Sequence, residues 1–73
     1  MPIESVSWYY RPLLSSFVPA IVLQKLATSP SWEVRYLVAL NARTPEETLR
    51  LLSQDGNRYV RAIAKAMEEE MAD

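Results

Sequence analysis

Apolar residues recur at helical spacing along the chain, and proline, glycine and small polar residues divide it into short segments. One stripe begins at Val34 and repeats at i+3, i+4 and i+7, which predicts a helix with Ser31 as its N-cap. The last segment has the longest stripe, and Asn57 stands at its expected N-cap. The residues predicted to be buried along that stripe are Val60, Ile63, Ala64, Met67 and Met71. The pattern predicts an all-α chain of about five short helices.

Two of the predicted helices start at proline. Pro19 and Pro45 stand at the expected first helical position, where the missing N–H costs nothing. Around the second proline, Thr44 and Glu47 have the spacing of a capping box, in which each side chain accepts a hydrogen bond from the other residue's backbone amide. The residues predicted to face inward are Val22, Leu23, Leu26 and Ala27 in the earlier helix and Leu49 and Leu52 in the later one.

The N-terminal segment is aromatic rather than periodic. It predicts a helix over Ile3 to Tyr10 that ends before Pro12, followed by a turn over Leu13 to Phe17. The run Trp8-Tyr9-Tyr10-Arg11 has no counterpart in the rest of the pattern. We interpret it as a cap over the first repeat or as an interface hot spot, since Trp, Tyr and Arg dominate such spots, and one role does not exclude the other.

The middle of the chain contains a repeat. At an offset of 26 residues, the second and third predicted helices align with the fourth and fifth without a gap. The identical pairs are Pro19/Pro45, Leu23/Leu49, Leu26/Leu52, Val34/Val60 and Arg35/Arg61. The turn Ser29-Pro30-Ser31 also aligns with Asp55-Gly56-Asn57. A repeated helix–turn–helix unit is typical of an α-solenoid, in which each unit buries its apolar face against the next.

Three stretches resemble the leucine-rich repeat variant family, a relative of HEAT repeats. They are Ser31-Trp32-Glu33-Val34-Arg35, Val38-Ala39-Leu40-Asn41 and Thr44-Pro45-Glu46-Glu47-Thr48-Leu49-Arg50-Leu51-Leu52. The resemblance covers about residues 19–66 and implies paired short helices stacked in a right-handed HEAT-like superhelix. Ala42 stands where the family usually has proline, and the second copy has no Asn-Pro at all. The array is therefore expected to stop after Met67, with the last helix running on into the acidic end. Some relatives carry a cysteine cluster for iron–sulfur, which this chain lacks.

These boundaries divide one domain, 1–73, into four parts. Residues 1–18 are the aromatic capping segment, 19–43 the first repeat, 44–67 the second repeat and 68–73 an acidic tail. Two copies are fewer than a solenoid normally needs, so we expect the N-terminal segment to cap the stack or the chain to self-associate.

Composition excludes several functions. The chain has no cysteine and no histidine, which removes disulfides, thiolate metal sites and the commonest general base. Serine has no imidazole to activate it and there is no glycine-rich phosphate loop, so we predict no catalysis, no metal and no cofactor. The formal net charge is −1, which gives no overall attraction to nucleic acid. No apolar stretch is long enough to cross a membrane and no signal peptide is recognised, so we expect no membrane contact and a cytoplasmic location.

The repeated arginines Arg35 and Arg61 admit two interpretations. They either bind a partner's carboxylates or phosphates, or tie adjacent turns together by bonding to Asp55 or to helix carbonyls. We favour the structural interpretation, because the family keeps this arginine in proteins with different partners. Trp32 is likewise expected to pack between the repeats.

The last helix carries a basic face. Arg58, Arg61 and Lys65 are spaced at i, i+3 and i+7, with Tyr36 and Tyr59 nearby in the pattern. This is either a solvated face or a site for single-stranded nucleic acid. The predicted function is an adaptor-like protein-binding module; the alternatives are a self-assembling homodimer and nucleic-acid binding. The candidate partner-binding residues are Trp8, Tyr9, Tyr10, Arg11, Arg35, Tyr36, Arg58, Arg61 and Lys65.

Overall fold

The computed structural model describes the backbone of residues 8–72 and the side chains of residues 9–71. This part of the chain is helical and has no strand. Its elements are a 3₁₀ helix, Trp8–Leu14, and the α-helices α1, Ala20–Leu26; α2, Trp32–Leu40; α3, Glu46–Leu52; and α4, Arg58–Ala72. The prediction of an all-α chain with about five helices is confirmed.

The helices pack as successive pairs. Helix α2 lies in the middle, since it packs against the 3₁₀ helix and all three other α-helices, and α3 packs mainly on α4. The side chains that fill the centre come from all four α-helices. The largest of the fully buried ones are Leu23, Leu37, Val38, Leu49, Leu52 and Val60. One contiguous core therefore joins both copies of the repeat.

The backbone repeats at the same offset as the sequence. Pro19 and Pro45 precede α1 and α3 with nearly the same dihedral angles, φ −64° and ψ 149° against φ −60° and ψ 149°. The carbonyl of each proline accepts from the amide four residues later, at 3.1 Å from Leu23 and 3.0 Å from Leu49. The two prolines thus begin equivalent turns, as the offset of 26 residues predicts.

The turn between the paired helices repeats as well. In the first copy the Ser29 hydroxyl accepts from the Ser31 amide at 3.2 Å. In the second copy the Asp55 carboxylate accepts from the Asn57 amide at 2.9 Å. Serine and aspartate thus supply the same acceptor two residues before an amide, and the turn survives the change of side chain.

The N-terminal segment is a half-repeat, which the sequence interpretation missed. At the same offset, Tyr10 aligns with Tyr36 and Leu14 with Leu40. The turn that follows also matches: the Ser15 hydroxyl accepts from the Phe17 amide at 3.1 Å, as the side-chain oxygen of Asn41 accepts from the Arg43 amide at 2.8 Å. Within the aromatic run, Tyr10 therefore has a counterpart, whereas Trp8, Tyr9 and Arg11 align with unlike residues. The 3₁₀ helix packs on α2 as α2 packs on α4, in the place of a preceding copy's second helix.

Two side-chain bonds attach this half-repeat to the first full repeat. The Asn41 amide nitrogen donates to the carbonyls of Leu13 at 2.8 Å and Ser15 at 3.0 Å. Asn41 is buried, as its place on the α2 stripe predicts. The carbonyls at the end of the 3₁₀ helix, which lack helical partners, are satisfied in this way.

The prediction that the first helix ends before Pro12 is wrong, because the 3₁₀ helix runs through that residue. Proline fixes φ near the value that a 3₁₀ helix requires, so the helix loses one donor and keeps its geometry. The part of the prediction that covers residues 3–7 lies outside the described residues.

Helix capping is partly as predicted. Asn57 is confirmed as a cap, since its side-chain oxygen accepts from the amides of Tyr59 at 2.8 Å and Val60 at 3.2 Å. Ser31 occupies the N-cap position of α2, but its side chain makes no capping bond. The prediction of a capping box at α3 is wrong, because the N-cap residue is Pro45. The buried Thr44 hydroxyl donates to the Val38 carbonyl instead. Tertiary contact with α2 outcompetes the local bond.

Predicted burial is confirmed along α2 and over most of the other stripes. Val34, Leu37 and Val38 are buried, as are Leu49 and Leu52. Two residues differ from their stripes and are exposed, Val22 in α1 and Met71 in α4. Helix α4 has 15 residues and α2 has nine, so the last turn of α4 extends beyond its neighbour.

The hydroxyl of Thr44 gives a test of the bond that replaces the capping box. Thr44→Val keeps the shape of the side chain and leaves the Val38 carbonyl with one donor fewer, so we expect a loss of about 1–2 kcal/mol in the free energy of unfolding. Thr28→Val is the matched control, because the Thr28 hydroxyl bonds the Lys25 carbonyl at 2.9 Å at an exposed position. Urea denaturation compares the two, and equal losses would contradict the assignment.

Candidate interaction surfaces

Arg35 holds the two copies of the repeat together. Its Nε and Nη2 donate to the two carboxylate oxygens of Asp55, at 2.8 and 3.2 Å, while Nη1 donates to the Ser29 carbonyl at 2.6 Å. The side chains of Arg35 and Asp55 are 18% and 11% exposed. A two-pronged ion pair with so little exposure fixes the turn before α4 onto α2. The structural interpretation of Arg35 is therefore confirmed.

Arg61 repeats half of that arrangement. Its Nη1 donates to the Asp55 carbonyl at 2.7 Å, six residues back, as Arg35 does to Ser29. Both arginines thus tie their helix to the turn that precedes it, and Arg61 bonds Asp55 as predicted; the acceptors are turn carbonyls, however, and not the helix carbonyls that were the other expectation. Within residues 9–71, no carboxylate lies within ion-pair distance of Arg61.

Aromatic rings fill the contact between α2 and α4. The Trp32 ring lies 5.8 Å from the Tyr59 ring and 6.3 Å from the Tyr36 ring, between centroids. The prediction that Trp32 packs between the repeats is confirmed. Tyr36 is only 7% exposed, which corrects its place among the partner-binding candidates: its position on α2 turns the ring into the core rather than toward a partner. Arg58 packs over the Tyr59 ring, with its guanidinium carbon 4.9 Å from the ring centre.

The predicted basic face, Arg58, Arg61 and Lys65, lies on the outer side of α4. Arg58 and Lys65 are exposed and Arg61 is half-buried, so the structure places these three candidates on one helix as predicted. Side chains on the matching positions of α2 are larger or more apolar. The pairs are Trp32/Arg58, Tyr36/Ala62, Ala39/Lys65 and Leu40/Ala66. A polar outer face is what a terminal repeat needs.

The N-terminal aromatic cluster is divided between the core and the surface. Tyr10 packs against the core, Arg11 is half-buried, and Tyr9 is 84% exposed with its ring 5.4 Å from that of Tyr10 in an edge-to-face arrangement. The side chain of Trp8 lies outside the described residues. Tyr10 thus packs on the core as a cap would, whereas the Tyr9 ring is mostly exposed.

Exposed apolar residues that follow this cluster in the sequence were missed by the sequence interpretation. They are Phe17, Ile21 and Val22, of which Phe17 is 92% exposed. The equivalent residues in the second copy are Arg43, Glu47 and Thr48, and the structure buries Thr48 where it leaves Val22 exposed. Comparing the two copies position by position reveals the signal, because only the first copy is apolar at these sites. We call these three residues the N-terminal edge.

The described residues show little that fits a small-molecule or metal site. Among them, no group of three or more acidic side chains is placed to hold a metal ion. A groove of about 140 Å³ lies between the end of α2 and α4, lined by Asn41, Ala42, Leu49, Met67, Glu70 and Met71. Over the same part of the chain, no helix has the length and apolar character needed to cross a membrane.

Paired helices with a repeated arginine tie and a repeated turn define a small α-helical repeat protein. Residues 32–57 match the family described as leucine rich repeat variant, which confirms the resemblance for that stretch. The match begins at the first residue of α2 and ends at the residue before α4, so it spans one full period of the repeat. Neither the curated proteins nor the solved structures compared with the chain gave a match.

Proposed function

We propose that the chain is a helical-repeat module that binds another protein and performs no catalysis. The observation that carries the proposal is the N-terminal edge. Phe17, Ile21 and Val22 are apolar and exposed there, whereas the equivalent residues of the second copy are polar. Exposed apolar side chains that the fold does not require mark interaction sites. Tyr9 is exposed as well, and tyrosine is common in interface hot spots.

The fold suits this role because it presents the edge on a rigid support. The 3₁₀ helix is held by Asn41 and α1 by its buried Leu23, so little order has to be gained when a partner binds. The chain also lacks histidine and cysteine, which leaves its serines without the usual activating groups.

A photo-crosslinking residue in place of Phe17 tests the proposal, with the same residue in place of Arg43 as the matched control. The first is expected to capture a defined protein in cells of the source organism, and the second, at the equivalent exposed position of the other copy, is not. Binding of the captured protein is then expected to fall about tenfold or more in Ile21→Glu and to stay unchanged in Leu51→Glu. Leu51 is an exposed leucine on α3 and receives the same charge.

Equal binding by the two glutamate variants would contradict the proposal. Both sites are exposed, so neither change is expected to move the melting temperature appreciably. Light scattering at high concentration tests the alternative of self-association. A dimer that the Ile21→Glu change dissociates would identify the partner as a second copy of this chain.

A further inference from the structure

The other end of the stack offers a different chemistry. The outer face of α4, defined by Arg58, Arg61, Ala62, Lys65 and Ala66, is not covered by any described element. Small side chains at 62 and 66 lie between the basic ones, so the face combines positive charge with close access to the helix. Arg61 is the one basic side chain in this group that is half-buried and held in place.

Arg35 shows what this arginine position binds. Both guanidinium groups are anchored through Nη1, at 2.6 Å for Arg35 and 2.7 Å for Arg61, to the carbonyl six residues earlier. In Arg35 the remaining edge of the guanidinium group donates through Nε and Nη2 to the carboxylate of Asp55, which belongs to the next copy. Because the two positions are equivalent, we infer that the same edge of Arg61 faces away from α2, toward the side of α4 that no described element covers. It has no carboxylate partner among the side chains of residues 9–71.

We propose that the Nε–Nη2 edge of Arg61 is a receptor for a carboxylate of a partner protein. The template at Arg35 specifies the ligand: an aspartate in the turn that precedes a helix, bound by two parallel charge-assisted hydrogen bonds. Because Nη1 already fixes the guanidinium, little side-chain entropy is lost on binding. The proposed function concerns the N-terminal edge, and this inference adds a second surface at the opposite end.

Two other occupants fit this surface less well. A nucleic acid needs rings for stacking, but Tyr36 is buried and Tyr59 is covered by Trp32 and Arg58. A second copy of the chain presents Ser29, which has no carboxylate, at the equivalent turn, and its own half-repeat already covers that side of α2.

The probe is a helical peptide of about 16 residues, made of alanine and glutamate, whose first turn reads Asp-Gly-Asn as in residues 55–57. Its twin carries asparagine in place of that aspartate. Titration into the ¹⁵N-labelled chain is followed at the arginine Nε–H signals, with Arg35 as the internal reference for a carboxylate-bound guanidinium. We expect the Arg61 signal to move toward that of Arg35 with the aspartate peptide, and binding to be about tenfold weaker with the twin.

Three variants make the test specific. Arg61→Lys keeps the charge but loses the two-pronged geometry, and is expected to bind about tenfold more weakly. Arg50→Gln removes the same charge from an exposed arginine on α3 and is expected to change binding less than about twofold. Ile21→Glu should bind the peptide like the parent, so failure here and failure at the N-terminal edge are distinguishable.

The proposal is overturned by an Arg61 signal that does not move at low salt, by a twin peptide that binds equally, or by an Arg50→Gln effect as large as that of Arg61→Lys. Tighter binding of single-stranded oligothymidylate than of the aspartate peptide would assign the surface to phosphate instead. If Arg61→Lys does not fold, the shift of the Arg61 signal in the parent chain still decides between these outcomes.

Discussion

Leu52→Ala is expected to lower the free energy of unfolding by about 2–4 kcal/mol, and Leu51→Ala by less than about 0.5 kcal/mol. The two leucines are neighbours in α3 and lose the same atoms, but Leu52 is 1% exposed and Leu51 is 60% exposed. Helix propensity changes equally in both variants, so the difference measures the loss of packing and the cavity left at Leu52.

The size of the chain makes this loss large. Domains have roughly 0.05–0.15 kcal/mol of stability per residue, so a chain of 73 residues has little reserve. Urea denaturation followed by circular dichroism gives both values. Leu26→Ala adds a third point: Leu26 is equivalent to Leu52 but only half-buried, and its cost is expected to lie between the other two. If Leu52→Ala unfolds at the urea concentration of the parent, the assigned register of α3 is wrong.

The buried stripes could be predicted from the sequence because they depend on local spacing. Val34, Leu37, Val38 and Asn41 are buried at the i, i+3, i+4 and i+7 positions of α2. Asn57 caps α4 through amides two and three residues away, which is also a local arrangement. Features of this kind are encoded within one or two helical turns, and sequence reasoning finds them.

Predictions failed where a contact with a residue distant in sequence replaced the expected local contact. The Thr44 hydroxyl was expected to cap α3, but the carbonyl of Val38 in the preceding helix takes it. Val22 and Met71 lie on apolar stripes, yet both are exposed, and among the described residues no helix packs over them fully. Periodicity identifies the face of a helix that is apolar, whereas burial requires a neighbour over the whole of that face.

The candidate surfaces were predictable in part. The basic face of α4 follows from helical spacing, and the structure places Arg58 and Lys65 on it. The N-terminal half-repeat was hidden because only Tyr10 and Leu14 match at the repeat offset, and Pro12 suggested a helix end. The structural role of Arg61 was predictable, but its accepting atom was not, since the bond depends on the carbonyl of Asp55 being turned toward α4.

A double-mutant cycle on Arg35 and Asp55 is expected to show that this pair couples the two repeats. Arg35→Gln and Asp55→Asn should each cost about 1–3 kcal/mol, because each leaves a mostly buried charged group without its partner. The double variant should cost less than the sum of the two, with a coupling energy of about 1–2 kcal/mol. Asp55→Asn keeps an oxygen for the Asn57 amide, so the turn itself is preserved.

The pair Glu46 and Arg50 is the matched control within the same chain. Its atoms are 3.3 Å apart on the surface of α3, with side chains 65% and 63% exposed, and both residues belong to one helix. Its coupling energy is expected to be about 0.5 kcal/mol or less and to fall further with salt, because exposed charges are screened. Arg35 and Asp55 should lose little coupling in the same salt range, since the pair is mostly buried. A coupling between Arg35 and Asp55 no larger than that of the surface pair would show that the repeats are held together by their apolar core alone.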